Sequence, residues 1–426
     1  MICSQCVAPP QLKAYVISGG AKGRCAYCQN DGTVLTKAQL FDHIYALVDM
    51  NVATKDDLSA YDLGLIYECG DDSVAVQTID VVLSEWFDLG DAPYFDELLA
   101  HASDALLKDE RGNDRHFFSD DGELESNLFE VRWDTFINDI KHAHRFFNPK
   151  AKEFLDSVFD VLTTPDGNLK QEAVRVISRG DPLYRARKVA DYPAGKKIGA
   201  SPHTELGPTP KTKAGSQRMT PNGISALYCS LERNTCLSEI RSITGDMVIS
   251  GALTPTTQLR LLDLTKLAQV ERPNLTLLDE GFRECMHLMA FLKSLVAKMS
   301  KPKRDDDELA YLSTQVVFEY LRLKFIDQVD GLVFPSVQTG EKGTNIALFP
   351  EASVISEVKY EPPDENDMAI PEPRMIPLQY KEDEKLAYVN RSLRYHHIKA
   401  IETKSEDCDS IHMFFMSDLI RRRLNL

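Results

Sequence analysis

Apolar positions along the chain follow two different periods, and the change from one to the other organises it. From about residue 35 to 165 they recur every three and four residues, the repeat of an amphipathic helix. Thr36 with Gln39 forms a capping box, and Leu40, Phe41, Ile44, Leu47 and Val48 behind it make one apolar stripe, which predicts a helix. Further helices are expected over Val74–Phe87, Tyr94–Ala105, Phe129–Phe147 and Lys152–Leu162, with the acidic, glycine-containing stretch Lys108–Glu125 as a loop. After Pro165-Asp166-Gly167, short period-two runs at Leu183–Val189, Met247–Ser250 and Leu259–Leu264 predict strands. Helical patterns at Leu231–Ile243, Leu277–Met299 and Asp306–Phe325 interleave with them, so this region reads as α+β. The polar stretch Tyr192–Ser216 is long enough for a lid or binding loop. Prolines at 362, 363, 371 and 373 mark a last boundary before a small appendix. The expected divisions are 1–32, 33–168, 169–360 and 361–426, with no internal repeat.

The first division is defined by cysteines rather than by periodicity. Cys3-x2-Cys6, an 18-residue gap, and Cys25-x2-Cys28 have the spacing of a structural zinc site, each pair delivering two thiolates from one tight turn. The intervening stretch around Lys13–Val16 is expected to form a short hairpin arm, with Gly19, Gly20 and Gly23 supplying turn freedom. A segment of this length has too little core to fold without a metal. Whether the zinc serves only structure or also a nucleic-acid or protein contact stays open at this point. Lys13, Lys22 and Arg24 are few charges for a nucleic-acid surface.

Composition narrows the partners. The 426 residues carry 49 Lys and Arg against 65 Asp and Glu, a net charge of −16, which repels nucleic acid and anionic membranes except at a local basic pocket. The amino terminus lacks the basic and apolar regions of a signal peptide, and the most apolar later stretch, around 286–299, is interrupted by His287, Lys293 and Lys298. A cytoplasmic protein without membrane association is expected. Its nine cysteines then serve as metal ligands, core residues or thiols rather than disulfides.

The familiar catalytic strings are missing: there is no Gly-x-Ser-x-Gly elbow, His-Glu-x-x-His, Walker loop or Gly-x-Gly-x-x-Gly. Polar residues at element edges remain. Strand alternation puts Leu183, Arg185 and Arg187 on one face and Tyr184, Ala186 and Lys188 on the other, and an arginine beside Leu183 on an interior face needs an anionic partner. Arg218 follows the long polar stretch; Ala226-Leu227-Tyr228-Cys229 reads as a strand end before a helix capped by Ser230. On that helix Glu239 lies beside a buried stripe of Cys236, Leu237 and Ile240. Gly331-Leu-Val-Phe-Pro-Ser336 reads as a buried strand that delivers a serine into a loop. Each of these also has a bland reading: an ion-paired arginine, a solvated helix carboxylate, a turn serine, core tyrosines.

Taken together, Leu-Tyr-Arg185-Ala-Arg, Arg218-x-x-Pro-x-Gly-x-x-Ala-Leu-Tyr228, Cys-Leu-Ser-Glu239, Tyr311-x-x-Thr-Gln315, Gly-Leu-Val-Phe-Pro-Ser336 and Asn345-x-Ala-Leu-Phe349 resemble the RES domain, over roughly 176–360. The resemblance implies a fold similar to ADP-ribosyltransferases of the diphtheria-toxin type and an enzyme with NAD as substrate. Such proteins break the nicotinamide–ribose bond with water or phosphate as acceptor, or transfer ADP-ribose to a protein, and many are toxins with a cognate antitoxin. It further implies Glu239, Arg185 and Ser336 as catalytic residues, and Arg185, Tyr184, Arg218, Tyr228 and Ser336 as NAD-binding residues. The helical region, in Val131-Arg-Trp133-Asp-x-Phe136 and Arg145-Phe146-Phe147, resembles the HEPN-type domain found ahead of some RES domains. Ribonucleases of that type carry an arginine four to six residues before a histidine on a helix. Arg111 and His116 have the spacing but sit in the acidic loop, and His142 and His144 precede Arg145, so a packing or dimerising module is expected instead. An NAD-consuming enzyme is thus weighed against a silent nucleotide-sensing scaffold and a nucleic-acid-directed zinc protein. Expected partners are NAD, an antitoxin or regulatory protein, and a second copy through the helical region.

Overall fold

The computed structural model describes residues 1–58, 76–122, 127–271, 273–300, 309–361, 374–377, 381 and 383–401. Two compact units emerge, and neither is continuous in sequence. In their described residues, one comprises Met1–Arg132 and Glu271–Phe291, the other Trp133–Val270 and the chain from Leu292 onward.

The first unit begins with a three-stranded antiparallel sheet, β1 (Ile2–Cys3), β2 (Ala21–Arg24) and β3 (Asp31–Leu35), in the order β1-β3-β2. The arm between β1 and β2 is a helix, Pro10–Gly19, not the expected hairpin. Pro10 occupies the first helical position, where its missing N–H costs nothing, and Leu12 and Val16 bury one turn apart. The helix Lys37–Asn51 follows with its capping box in place, Thr36 accepting from the Gln39 backbone and Gln39 from Thr36. Its stripe packs with Val82, Leu83, Phe87 and Tyr94 into one core.

A second small sheet, β4 (Ala53–Thr54), β5 (Gln77–Thr78) and β6 (His116–Phe118), replaces part of what reads as helix and loop. Phe117 and Phe118 are both buried, on opposite faces of β6, so the strand shows no alternation in sequence. Of the helix expected over Val74–Phe87, residues 74 and 75 lie outside the described residues, and the remainder is β5 followed by one α-helical and one π-helical turn over Ile79–Trp86. The helix expected over Tyr94–Ala105 is two, Phe95–Ala100 and Asp104–Leu107.

In the second unit a nine-stranded mixed sheet dominates. Its strands are β7 (Val174–Ile177), β8 (Leu183–Val189), β9 (Leu227–Ser230), β10 (Met247–Pro255), β11 (Leu259–Asp263), β12 (Gly331–Ser336), β13 (Gly343–Leu348), β16 (Leu386–Tyr388) and β17 (Arg394–His397). A separate hairpin pairs β14 (Val358–Glu361) with β15 (Arg374–Pro377). The path runs β16-β10-β8-β9-β13-β12-β11-β7, with β17 also on β10. β11 and β12 run parallel and their neighbours antiparallel, so the architecture is α+β as expected. The polar stretch Tyr192–Ser216 carries two short helices, Tyr192–Ala200 and Pro202–Glu205, the first capped by Asp191 on the Ala194 amide. The helices Pro149–Phe159 and Leu312–Lys324 meet through the Phe159 and Tyr320 rings, and Tyr320 donates to Asp156 at 2.6 Å. Trp133, Phe136 and Phe154 pack against one another with tilted rings, whereas Phe146 and Phe147 are exposed. Among the described residues no helix is long and apolar enough to cross a membrane.

Candidate functional site

The sheet opens where β8 meets β9. Those two strands share a single pair, Tyr184 with Ser230, whereas β8 pairs with β10 over its whole length, Leu183 with Leu253 through Val189 with Met247. A cavity of about 350 Å³ occupies the opening, and Tyr184, Arg185, Arg218, Tyr228 and Glu239 all line it. Ser336 is fully buried rather than part of the cavity wall, and donates its hydroxyl to Glu239 Oε1 at 2.5 Å. Residues up to 152 positions apart in sequence are thereby brought to one place.

Arg185 lies on the same face as the fully buried Leu183 and is itself buried. Its Nη1 has no hydrogen-bond partner, and no carboxylate among the described residues pairs with it. Burial, reinforced by the neighbouring Arg187, draws its guanidinium down to about 9. An unpaired cation in a dry wall is costly unless an anion arrives to meet it. Arg187, in contrast, donates to the carbonyls of Glu205 and Gly207, fastening the polar stretch to β8.

Glu239 closes the short helix Arg233–Glu239, whose N-cap is Glu232 rather than the expected Ser230. Ser230 has another use: its hydroxyl donates to Asn345 Oδ1 at 2.9 Å, which turns the Asn345 amide to donate to Glu239 Oε1 at 2.6 Å. Both donors to the carboxylate thus fall on one oxygen. Ser230, Ser336 and Asn345 are almost entirely buried, so the carboxylate is held by groups that have no alternative solvent partner. From the sequence Ser230 is expected only as a helix cap and Asn345 only as part of the motif Asn345-x-Ala-Leu-Phe349, neither with a role at the site.

The helix reaches this position because β13 starts with glycine. A Cβ on Gly343 would lie 2.1 Å from Thr235 Oγ1, and Thr235 donates to Glu232, which also accepts from the Thr344 amide at 2.9 Å. Gly343→Ala is expected to push the helix off β13, costing about 1–3 kcal/mol as overpacking does, and to lower the thermal midpoint in a melting experiment. An unchanged midpoint would remove the close approach as the reason for glycine there.

Across the cavity, the Tyr228 hydroxyl accepts from the Met219 amide at 2.8 Å, and burial pushes its pKa up to about 12. Gln315 donates to Ser216 Oγ and to the carbonyls of Gln217 and Thr220, and Thr314 donates to the Arg218 carbonyl. These bonds pin the segment that carries Arg218. Cys229 and Cys236 are buried thiols pushed up to about 12 by burial, inert core residues as expected.

The four amino-terminal cysteines converge independently. Their sulfurs all lie within 4.8 Å of one another, with Cys3–Cys28 at 3.5 Å and Cys6–Cys25 at 3.7 Å. Thiolates around a tetrahedral zinc with bonds of about 2.3 Å stand roughly 3.8 Å apart. Burial raises the Cys3 and Cys6 thiols; at Cys25 burial also acts upward but is outweighed by backbone hydrogen bonds from Cys28 and Tyr27, which draw it down to about 6. These four residues could hold a metal ion.

The divided sheet thus brings an unpaired buried arginine and a hydrogen-bonded carboxylate to one cleft. Residues 182–367 match the model of the RES domain, so the second unit carries that domain. No curated protein matches the chain, and no solved structure matches it. A RES domain is consistent with an NAD-related activity.

Proposed function

We propose that the chain consumes NAD by breaking the nicotinamide–ribose bond, as a glycohydrolase or phosphorylase, and that its four amino-terminal cysteines hold a structural zinc. The observation that carries the first reading is the pairing, in one cleft, of the buried and unpartnered Arg185 with a Glu239 carboxylate fixed by Ser336 and Asn345.

Each group then has a part. Arg185, assisted by Arg218 at the cavity wall, meets the pyrophosphate with charge-assisted hydrogen bonds. Tyr184 and Tyr228 offer ring faces to the nicotinamide and ribose. As the glycosidic bond breaks, its electron pair passes to the ring nitrogen; nicotinamide leaves neutral and needs no proton. Positive charge appears on the ribose, and Glu239 stabilises it. Water or phosphate then bonds the anomeric carbon, and water releases its second proton to solvent. Glu239 Oε1 is committed to Ser336 and Asn345, which leaves Oε2 to accept a ribose hydroxyl.

Incubating the purified chain with NAD and resolving nicotinamide, ADP-ribose and ADP-ribose 1″-phosphate tests this reading. Nicotinamide release is expected, and the companion product names the acceptor; labelled protein would instead indicate transfer. NAD left intact by excess protein would refute it. Arg185→Ala should weaken NAD binding about 10- to 100-fold, the loss of charge-assisted hydrogen bonds, with a smaller effect on turnover of bound NAD. Titration calorimetry against single-turnover rates separates the two.

A further inference from the structure

The RES match ends at residue 367, yet the cleft is braced by residues beyond it. β16 and β17, from residues 386–397, both pair with β10 and so extend the sheet of the domain. From β17 the His396 ring places Nε2 2.8 Å from the hydroxyl of Ser250, which is fully buried on β10. Ser250 Oγ also accepts from Arg233 Nη1 at 2.6 Å, and Arg233 Nη2 donates to the Ser392 carbonyl at 3.0 Å. Held at both ends, the Arg233 guanidinium lies over the Tyr184 ring, 4.6 Å from its centroid. Arg233 is also the first residue of the helix that ends in Glu239. Ser392 Oγ in turn accepts from the Ala252 amide at 3.0 Å, locking the same segment to β10.

With a neutral imidazole protonated on Nδ1, the chain runs in one direction. Ser250 Oγ accepts from Arg233 with one lone pair and donates its proton to the unprotonated His396 Nε2. That requires a neutral imidazole. Burial and the positive charges of Arg233 and Arg394 hold the His396 pKa below its ordinary range, in agreement with that state.

We propose that His396 is a positioning residue for the cleft, acting through Ser250 to fix Arg233 and, through Arg233, the ring of Tyr184. This rests on the reading of Tyr184 as a ring against the dinucleotide. On it, the segment after the RES match is a working part of the site. Its contribution lies in ground-state binding of NAD, since Tyr184 meets no charge that appears only as the bond breaks.

The test uses the full chain with His396→Ala, His396→Gln, Tyr184→Leu and the His396→Ala, Tyr184→Leu double variant. His396→Ala should raise KM for NAD about 5-fold, the scale of one desolvated cation–aromatic contact, with kcat within about twofold. His396→Gln, whose side-chain carbonyl can accept from Ser250, should restore KM. In the Tyr184→Leu background His396→Ala should add nothing. An unchanged KM in His396→Ala, a Gln variant as impaired as Ala, or additive effects with Tyr184→Leu would each overturn the proposal. The Arg233 Nε–H resonance, assigned with Arg233→Lys, supplies a readout that needs no turnover. It should shift in His396→Ala and return in His396→Gln. If the wild-type chain leaves NAD intact, the function fails, while a resonance that does not move refutes the positioning role by itself.

Discussion

Replacing Glu239 by glutamine is expected to lower NAD turnover about 100-fold or more, the effect of losing one preorganised electrostatic group worth roughly 3 kcal/mol. Glutamine keeps the size of the side chain and an oxygen that accepts from Ser336 and Asn345, so the local hydrogen bonds survive. What disappears is the negative charge, and on the proposed mechanism that charge matters only once the ribose becomes cationic. NAD affinity should therefore be unchanged or slightly improved, since removing a carboxylate also removes repulsion of the substrate phosphates. The contrast with Arg185→Ala is the informative part: one variant loses binding and the other loses chemistry. Rapid-quench single turnovers at saturating NAD measure the second directly. A folded Glu239→Gln protein with normal turnover would take the central residue out of the mechanism.

Metal loss is the second large effect. The intact chain should carry about one zinc, and the double change Cys25→Ser, Cys28→Ser should lose nearly all of it, because two thiolates cannot close a tetrahedral site. Structural zinc binding contributes on the order of 10 kcal/mol to small domains of this kind. The cluster of Cys3, Cys25 and Val34 is the packing of that end of the sheet. Limited proteolysis should accordingly begin at the cysteine-bearing turns of the variant, which lose their cross-link, while Leu12 and Val16 keep the intervening helix on the neighbouring core. Zinc retention should also fall as the pH is lowered, since protons compete with the metal for the thiolates. Metal-free wild-type protein that resists proteolysis at this end would defeat the zinc reading.

Local pattern carried much of the architecture. β8 and β12 occur at the residues where alternation and a buried apolar run predict them, Leu183–Val189 and Gly331–Ser336, because a strand between turn signals announces itself within its own residues. The capped helix at Lys37–Asn51 was legible for the same reason. Cysteine spacing sufficed for the four-thiol cluster, since each pair is set by one turn. Arg185, Glu239 and Ser336 were singled out by residue chemistry together with the resemblance to the RES domain, not by residue chemistry alone.

Pairing between distant segments was not legible, and it built the site. Glu239 is bonded by Ser336 and Asn345, 97 and 106 residues further along, and no local period encodes that meeting. The cavity exists because β8 and β9 share one pair and then part, a property of sheet curvature rather than of either strand's sequence. β6 has no alternation because both its faces are buried, and the helix at Pro10–Gly19 buries only Leu12 and Val16, one turn apart, too short an apolar stripe to announce itself between two cysteine pairs. The small appendix after the prolines has no partner legible in its own residues, yet backbone pairing seats β16 and β17 on β10. Sequence determined which groups were available and which short elements would form. Tertiary structure decided which of those groups share a dry cleft, because burial and register depend on partners that the local chain does not contain.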